Sequence, residues 1–266
     1  MQLAAECGYI VVMKHEPLIS SAANPTVKWL RGLALKKNRE DEGLFIIEGL
    51  RDVAAAVAAG WRVHTLVSAG GATVAIDAPR HVQVTAELMS RIVNRDNAQD
   101  VIAVMHQHWA DAQDAGRGFW LALEDIRDPG NLGTIIRTAD AVSCAGIALI
   151  GQTCDPFAPD VVRATMGSLP RMPLVRFDQP SFAAWRAGYT GKLVGTHLKG
   201  AVDYRSVDYA TSDMMIVMGS ETAGLSDALA ELCDQRVKIP MSGQTESLNL
   251  AIASALMLYE ARREKL

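Results

Sequence analysis

Residues 120–139 read WLALEDIRDPGNLGTIIRTA. The apolar run 120–123, stopped by Glu124 and Asp125, reads as a short buried strand. Pro129 and Gly130 force a turn, Asn131 is a residue type that caps helices, and Gly133 permits close packing on the first helical turn. The pattern predicts a helix over about 132–145, so a strand delivers a polar turn into a helix. Six residues of helix separate Asn131 from Arg137 by about 240°, so the two cannot share a face, and Asn131 belongs at the helix lip. Taken alone, a capped core helix with an exposed arginine explains this stretch as well as a binding site does.

The same arrangement recurs outward from it. Apolar runs at 147–150, 174–177, 193–196, 214–218 and 237–239 read as strands. They are interleaved with helical stretches near 159–166, 181–187 and 226–233, and a last helix over 248–263. Short apolar runs alternating with helices predict an α/β fold with a mostly parallel sheet covered on both faces. Upstream, strands at 45–47, 63–67 and 101–105 with helices at 51–59 and 85–93 make a smaller α/β unit. Between the units the apolar pattern lapses into QHWADAQDAGRG, a connecting segment. The predicted division is an extension over 1–20, a small domain over 21–106, a linker over 107–118 and a larger domain over 119–266. A chain of 266 residues has room for both domains.

Composition narrows the function classes. With 49% hydrophobic, 21% charged and only 6% aromatic residues, the chain suits a globular protein that does not bind mainly through aromatic platforms. No run approaches the roughly 18 apolar residues of a membrane helix. An apolar patch at 9–13 is flanked by Glu6, Lys14 and Glu16, which predicts no export signal. Cys7, Cys144, Cys154 and Cys233 stand far apart, predicting a reducing, cytoplasmic compartment. A net charge of −4 gives no global attraction to nucleic acid, so such binding needs a local patch. One exists over 24–39, where Lys28, Arg31, Lys36, Lys37 and Arg39 occur with no acidic residue. A solvated helix face explains it equally well.

The familiar nucleotide and metal signatures are missing. Gly195 and Gly200 have P-loop spacing, but Ala201 stands where lysine is needed, and no G-x-G-x-x-G follows a strand. The six histidines show no ligand spacing, and His106 and His108 read as a solvated pair. No metal is expected.

Two further constellations sit at predicted strand ends, where open α/β sheets place their ligands. The first is MGSETAGLS over 218–226, where Gly219 allows close backbone approach and Glu221 stands in a loop of small residues. The second is KIPMSGQTESLN over 238–249, a glycine loop running into the last helix, whose free N–H groups lie beside Ser247 and Asn249. Each alone is a capped turn. Together they are more, because all three occur in a set order and spacing.

With N-x-G-x-x-x-R at Asn131, Gly133 and Arg137, G-S-E-x-x-G-L at 219–225 and I-P-M-x-G-x-x-x-S-L-N at 239–249, the chain closely resembles the SpoU/TrmH family of AdoMet-dependent RNA 2′-O-ribose methyltransferases, in the SPOUT superfamily. The resemblance covers about 145 residues. Ser21, Asn24-Pro25, Lys28, Arg39, Phe45 and Glu48-Gly49 also resemble, more loosely, the small RNA-binding domain of many members, similar to RNA-binding ribosomal proteins. The resemblance implies a trefoil-knotted domain, a homodimer, and S-adenosyl-L-methionine held by Gly195, Thr196, Gly219, Ile239, Met241 and Leu248. It also implies a polar catalytic network of Asn131, Arg137, Glu221, Ser247 and Asn249, with Glu221 either in the chemistry or holding loops. A guanidinium, whose pKa exceeds about 12, does not serve as a base, so Arg137 is expected to anchor RNA phosphate or the developing alkoxide. Lys28, Arg31, Lys36, Lys37 and Arg39 are expected to hold RNA, ribosomal rather than transfer RNA by analogy with two-domain members. A non-catalytic RNA-binding factor and a base methyltransferase of the same fold are the alternatives.

Overall fold

A computed structural model describes residues 17–70, 74–199 and 201–266. Most of the expected extension (1–16, including Cys7 and the apolar patch) and Gly200 lie outside the described residues.

The N-terminal unit opens with α1 (Pro25–Gly32), where Asn24 Oδ1 accepts the Thr26 N–H at 2.8 Å and Pro25 begins the helix. Then come α2 (Lys36–Glu42), β1 (Leu44–Glu48), α3 (Leu50–Ala58), β2 (Val63–Ala69), β3 (His81–Val84), α4 (Ala86–Val93) and β4 (Val101–His106). Its sheet runs β1-β4-β2-β3, with β4 antiparallel to both neighbours and β2 parallel to β3. The strand β3 is absent from the sequence-based expectation, because its four residues alternate too briefly to give a period-two signal.

The C-terminal unit runs β5 (Phe119–Glu124), α5 (Pro129–Ala141), β6 (Gly146–Ile150), α6 (Pro159–Ala164), β7 (Leu174–Phe177), α7 (Gln179–Gly188), β8 (Lys192–Thr196), β9 (Val202–Asp203), β10 (Met214–Met218), α8 (Asp227–Leu232), β11 (Gln235–Lys238) and α9 (Leu250–Arg262). Its seven strands lie in the order β7-β6-β5-β10-β8-β11-β9, and every neighbouring pair is parallel. Alternate residues serve opposite faces. Leu121, Leu123, Ile147, Leu149 and Ile216 pack with Ile135, Ile136 and Leu258 of α5 and α9. Trp120, Ala122, Ala148, Met215 and Val217 pack with Phe182 and Leu229 of α7 and α8. Burial of each such leucine or isoleucine contributes about 1.5–3 kcal/mol, and this double covering lines every carboxyl strand end along one edge.

Two expectations need correction. Asn131 is not the cap of α5: Asp128 is, its Oδ1 accepting the Asn131 N–H at 2.7 Å. The helix therefore begins at Pro129, whose missing N–H costs nothing in a first turn, and Asn131 stands inside that turn. Nor is Arg39 at the surface for RNA. It is 3% exposed, and its Nε donates to Asp155 Oδ2 at 2.8 Å while Nη1 donates to the carbonyls of Leu33 and Ala34, both at 2.8 Å. The basic run hides this because spacing does not tell which cation turns inward.

Arg39 and Asp155 belong to the seam between the units. Phe157 fills that seam, its ring centroid 4.9 Å from Phe45, 5.2 Å from Trp109 and 6.3 Å from Trp61. Trp61 Nε1 donates to the Pro170 carbonyl at 3.1 Å, and Arg163 Nη1 to Glu48 Oε1 at 2.9 Å. The connecting residues take part as well, since the Gln107 side chain donates to the Arg39 carbonyl at 3.0 Å and Trp109 packs on the core. Removing one partner of a buried ion pair strands the other. Asp155→Ala is therefore expected to lower unfolding free energy by about 3–5 kcal/mol, and Arg39→Met with Asp155→Leu by much less. Urea unfolding checks this, and an equal loss in both proteins would refute it.

Candidate active site

The loops after β5, β10 and β11 meet in one hydrogen-bonded junction. Asn131 Nδ2 donates to Glu221 Oε1 at 3.1 Å, and Asn131 Oδ1 accepts from Asn249 Nδ2 at 2.9 Å. The joined residues lie 90 and 118 positions apart in the chain. Glu221 also accepts the N–H groups of Arg127 and Asp128, each at 3.3 Å. Asn249 caps α9, its Oδ1 accepting from Ala251 N at 2.9 Å and Ile252 N at 3.2 Å. One amide thus starts the last helix and ties it to the first loop.

Local packing explains why these loops take their shapes. A Cβ on Gly219 would stand 1.8 Å from Leu225 N, so the loop over 219–225 folds back on itself only without a side chain there. A Cβ on Gly133 would lie 2.3 Å from the Ala164 Cβ, which places α5 against α6. Glu124, 3% exposed at the end of β5, accepts from Gln179 Nε2 at 2.9 Å and from Ser226 N at 2.8 Å. It pins the far end of the Glu221 loop. No motif in the sequence assigns Glu124 a role; a carboxylate closing a buried strand is the signal that points to it, since such a group needs partners.

The other expected residues are distributed as follows. Arg137 is exposed on α5 and makes no side-chain hydrogen bond or ion pair to a described residue. Ser247 is exposed in the α9 approach, its carbonyl accepting from Thr245 Oγ1 at 3.0 Å. Thr196 ends β8 and its hydroxyl donates to the Val217 carbonyl of β10 at 3.4 Å. The Cα of Gly195 faces Cys233 and Leu225, with a Cβ there 2.6 Å from the Cys233 Sγ, so the glycine serves packing. Ile239 and Leu248 are half-buried, and Met241 is exposed. Lys28, Arg31, Lys36 and Lys37 are exposed on α1 and α2, apart from the buried Arg39.

Electrostatics define what the junction can do. Partial burial pushes the Glu221 carboxyl upward, but hydrogen bonds from Asn131 and the neighbouring main-chain amides outweigh it and hold the pKa below the usual glutamate range. Glu221 is a fixed acceptor and a poor base. Burial, followed by the Glu221 and Asp128 carboxylates, pushes the nearby Cys154 thiol up to about 12, so it stays a neutral packing group. Among the described residues no group of three or more His, Cys, Asp and Glu could hold a metal ion.

An open parallel sheet with a polar junction and half-buried apolar side chains at its carboxyl edge defines an α/β protein with its ligand site at the strand ends. Residues 118–259 match the SpoU rRNA Methylase family, and residues 24–103 match the MRM3-like substrate binding domain. The chain belongs to the SpoU rRNA Methylase family. It is 33% identical over 257 residues to a 23S rRNA (uridine(2479)-2′-O)-methyltransferase of Streptomyces viridochromogenes, covering 90% of this chain and 89% of that protein. It is 32% identical over 247 residues to the 23S rRNA (guanosine(2553)-2′-O)-methyltransferase RlmP of Bacillus subtilis, covering 92% and 98%. Among solved structures, the AdoMet-bound rRNA methyltransferase from Sinorhizobium meliloti superposes with a TM-score of 0.88 at 39% identity, covering 94% of this chain and 98% of that one. The Streptomyces viridochromogenes methyltransferase AviRb in complex with AdoMet gives 0.81 at 30% identity, covering 91% and 98%.

A depressed carboxyl contributes stability above its unfolded pKa and loses it as pH falls through the lower folded value. The stability difference between the wild type and Glu221→Gln should therefore be constant near neutral pH and shrink on acidification below the ordinary glutamate range. Urea midpoints across that range measure it, and a pH-independent difference would refute the assignment.

Proposed function

We propose that the protein transfers a methyl group from S-adenosyl-L-methionine to a ribose 2′-hydroxyl of ribosomal RNA. The observation that carries this reading is the junction of Asn131, Glu221 and Asn249, which joins the loops bearing the family motifs at one strand edge. The residues there suit the cofactor. Gly219 brings no side chain to the end of β10, while Ile239, Leu248 and Met241 offer apolar surface for an adenine beside main-chain groups. Thr196 completes the wall at β8, and Gly195 before it packs closely on Cys233 and Leu225. When bound, AdoMet supplies a methyl group activated on a sulfonium.

The chain's own contribution is placement and charge. Holding the hydroxyl in line with the methyl can contribute on the order of 7–11 kcal/mol. Asn131 has both ends of its amide committed, to Glu221 and to Asn249, so the lip is set before substrate arrives. Glu221 holds the loops by accepting N–H groups, and Ser247 extends the polar wall. Arg137, exposed and paired with no described residue, offers a guanidinium fork to RNA phosphate or to the developing alkoxide, and the proton leaves to water.

RNA binding begins on the small domain, where Lys28, Arg31, Lys36 and Lys37 face solvent. In this reading the larger domain is trefoil-knotted and the protein is a cytoplasmic homodimer. No described helix is long and apolar enough to cross a membrane. The dimer is supported by α9, where Ile252, Leu256 and Tyr259 form a stripe exposed by 54%, 38% and 51%.

Arg137→Lys keeps the charge and loses the fork. It is expected to lower methyl transfer to 23S rRNA by about a hundredfold, with AdoMet affinity unchanged, an effect worth about 2.7 kcal/mol. Nucleoside mass spectrometry of digested RNA reads the 2′-O-methyl product, and methylation of a base would overturn the proposed chemistry. Ile252→Glu with Tyr259→Glu should give a monomer in size-exclusion chromatography with light scattering; a dimer that persists would place the interface elsewhere.

A further inference from the structure

A second cleft opens beside the junction, between α2 and the loops that follow β5 and β6. Its volume is about 460 Å³, and its walls include Lys36, Glu40, Arg127, Gln152 and Arg176. The Asp155 that also lines it is bound by the buried Arg39, so three cations face the single carboxylate of Glu40, which lies 3.7 Å from Lys36. Among the described residues Arg127 and Arg176 have no carboxylate of their own in the cleft. In a chain of net charge −4 this is a local reversal of sign. A larger cleft of about 860 Å³ near Glu48 differs in that its cations pair within it, Arg163 with Glu48 and Arg51 with Asp52.

The smaller cleft is built in advance. Asp125 Oδ1 accepts the Gln152 N–H at 2.6 Å, and Cys154 N donates to the Ile126 carbonyl at 2.8 Å, so the two loops are laced together. Arg127 is exposed, and only a long 3.4 Å contact joins its Nη2 to Gln152. The Arg176 guanidinium lies over the Trp109 ring, 4.1 Å from its centroid. Stacking holds the plane of the fork and leaves its N–H edge for a ligand. Arg127 also spans two places: its main-chain N–H bonds Glu221 in the junction, while its side chain lines the cleft. The cleft and the junction are thus one residue apart at Arg127.

We propose that this cleft holds backbone phosphates of the substrate RNA beside the target nucleotide, with Arg127 and Arg176 as the phosphate-binding forks and Lys36 linking them to the cations of α1 and α2. This rests on the reading of the protein as an RNA methyltransferase. The two forks position the strand; they do not touch the reacting atoms.

The test uses the full chain and an in-vitro transcript of 23S rRNA, with affinity measured by filter binding over a series of salt concentrations. Arg127→Ala with Arg176→Ala is expected to weaken binding at least tenfold. The plot of log affinity against log salt should become shallower by about 0.7–0.9 for each phosphate no longer neutralised. The KM for RNA should rise while AdoMet affinity by calorimetry stays near the wild type, because the main-chain N–H that Arg127 gives Glu221 survives the substitution. Arg176→Lys should keep the salt slope and lose part of the affinity. Wild-type affinity and slope in the double variant would overturn the cleft while leaving the methyltransferase reading intact. A double variant that loses RNA binding, from a wild type that binds the transcript but methylates no ribose, would sink that reading and leave the cleft standing. A wild type that does not bind the transcript would overturn both.

Discussion

Everything at the candidate site depends on the strands of the larger sheet all pointing one way. Parallel strands need crossovers, crossovers place helices on both faces, and the carboxyl ends are then left together on a single edge. Three of those ends carry loops of small and polar residues, and the hydrogen bonds through Asn131 draw the loops into contact. None of the loops has an apolar interior of its own. Their order comes from the strands beneath them and from one another, which is why Glu124 is buried to pin one loop and Asp128 is used to start the helix after another.

The seam between the two units is the second dependency. It combines an aromatic cluster around Phe157 with two ion pairs, Arg39 to Asp155 and Glu48 to Arg163. Aromatic pairs contribute about 0.5–1.5 kcal/mol each beyond the area they bury. Asp155 follows β6 and borders the same loops that present Arg127 and Gln152. The contact that joins the units and the contacts that shape the strand edge therefore share a loop.

Much of this is legible in the sequence. The alternation of short apolar runs with helices is enough for the parallel sheet, because buried parallel strands leave that pattern directly. The three motif segments are visible as polar turns at strand ends, and their family resemblance comes from order and spacing. The start of α5 is harder to read because Asn131 and Asp128 are both good caps, and only the N1 preference of Pro129 separates them. Arg39 passes for a surface cation because its neighbours are solvated, and its buried partner lies 116 positions away. The short β3 and the two-residue β9 have too few alternations to register. Glu124 is marked only by its place at the end of a fully apolar strand.

The double duty of Asn249 restricts what evolution can put at that position. Its Oδ1 must receive two main-chain protons while its Nδ2 offers one to a neighbouring carbonyl oxygen. Aspartate would keep the receiving half, lose the giving half and bring a second negative charge toward Glu221. Serine or threonine caps helices well but carries a single short hydroxyl, unable to face both directions. Glutamine has the right amide on an arm one carbon too long for a cap. Asparagine is thus the side chain whose geometry meets both demands, and a change there would loosen the start of the last helix and its tie to the first loop in the same stroke.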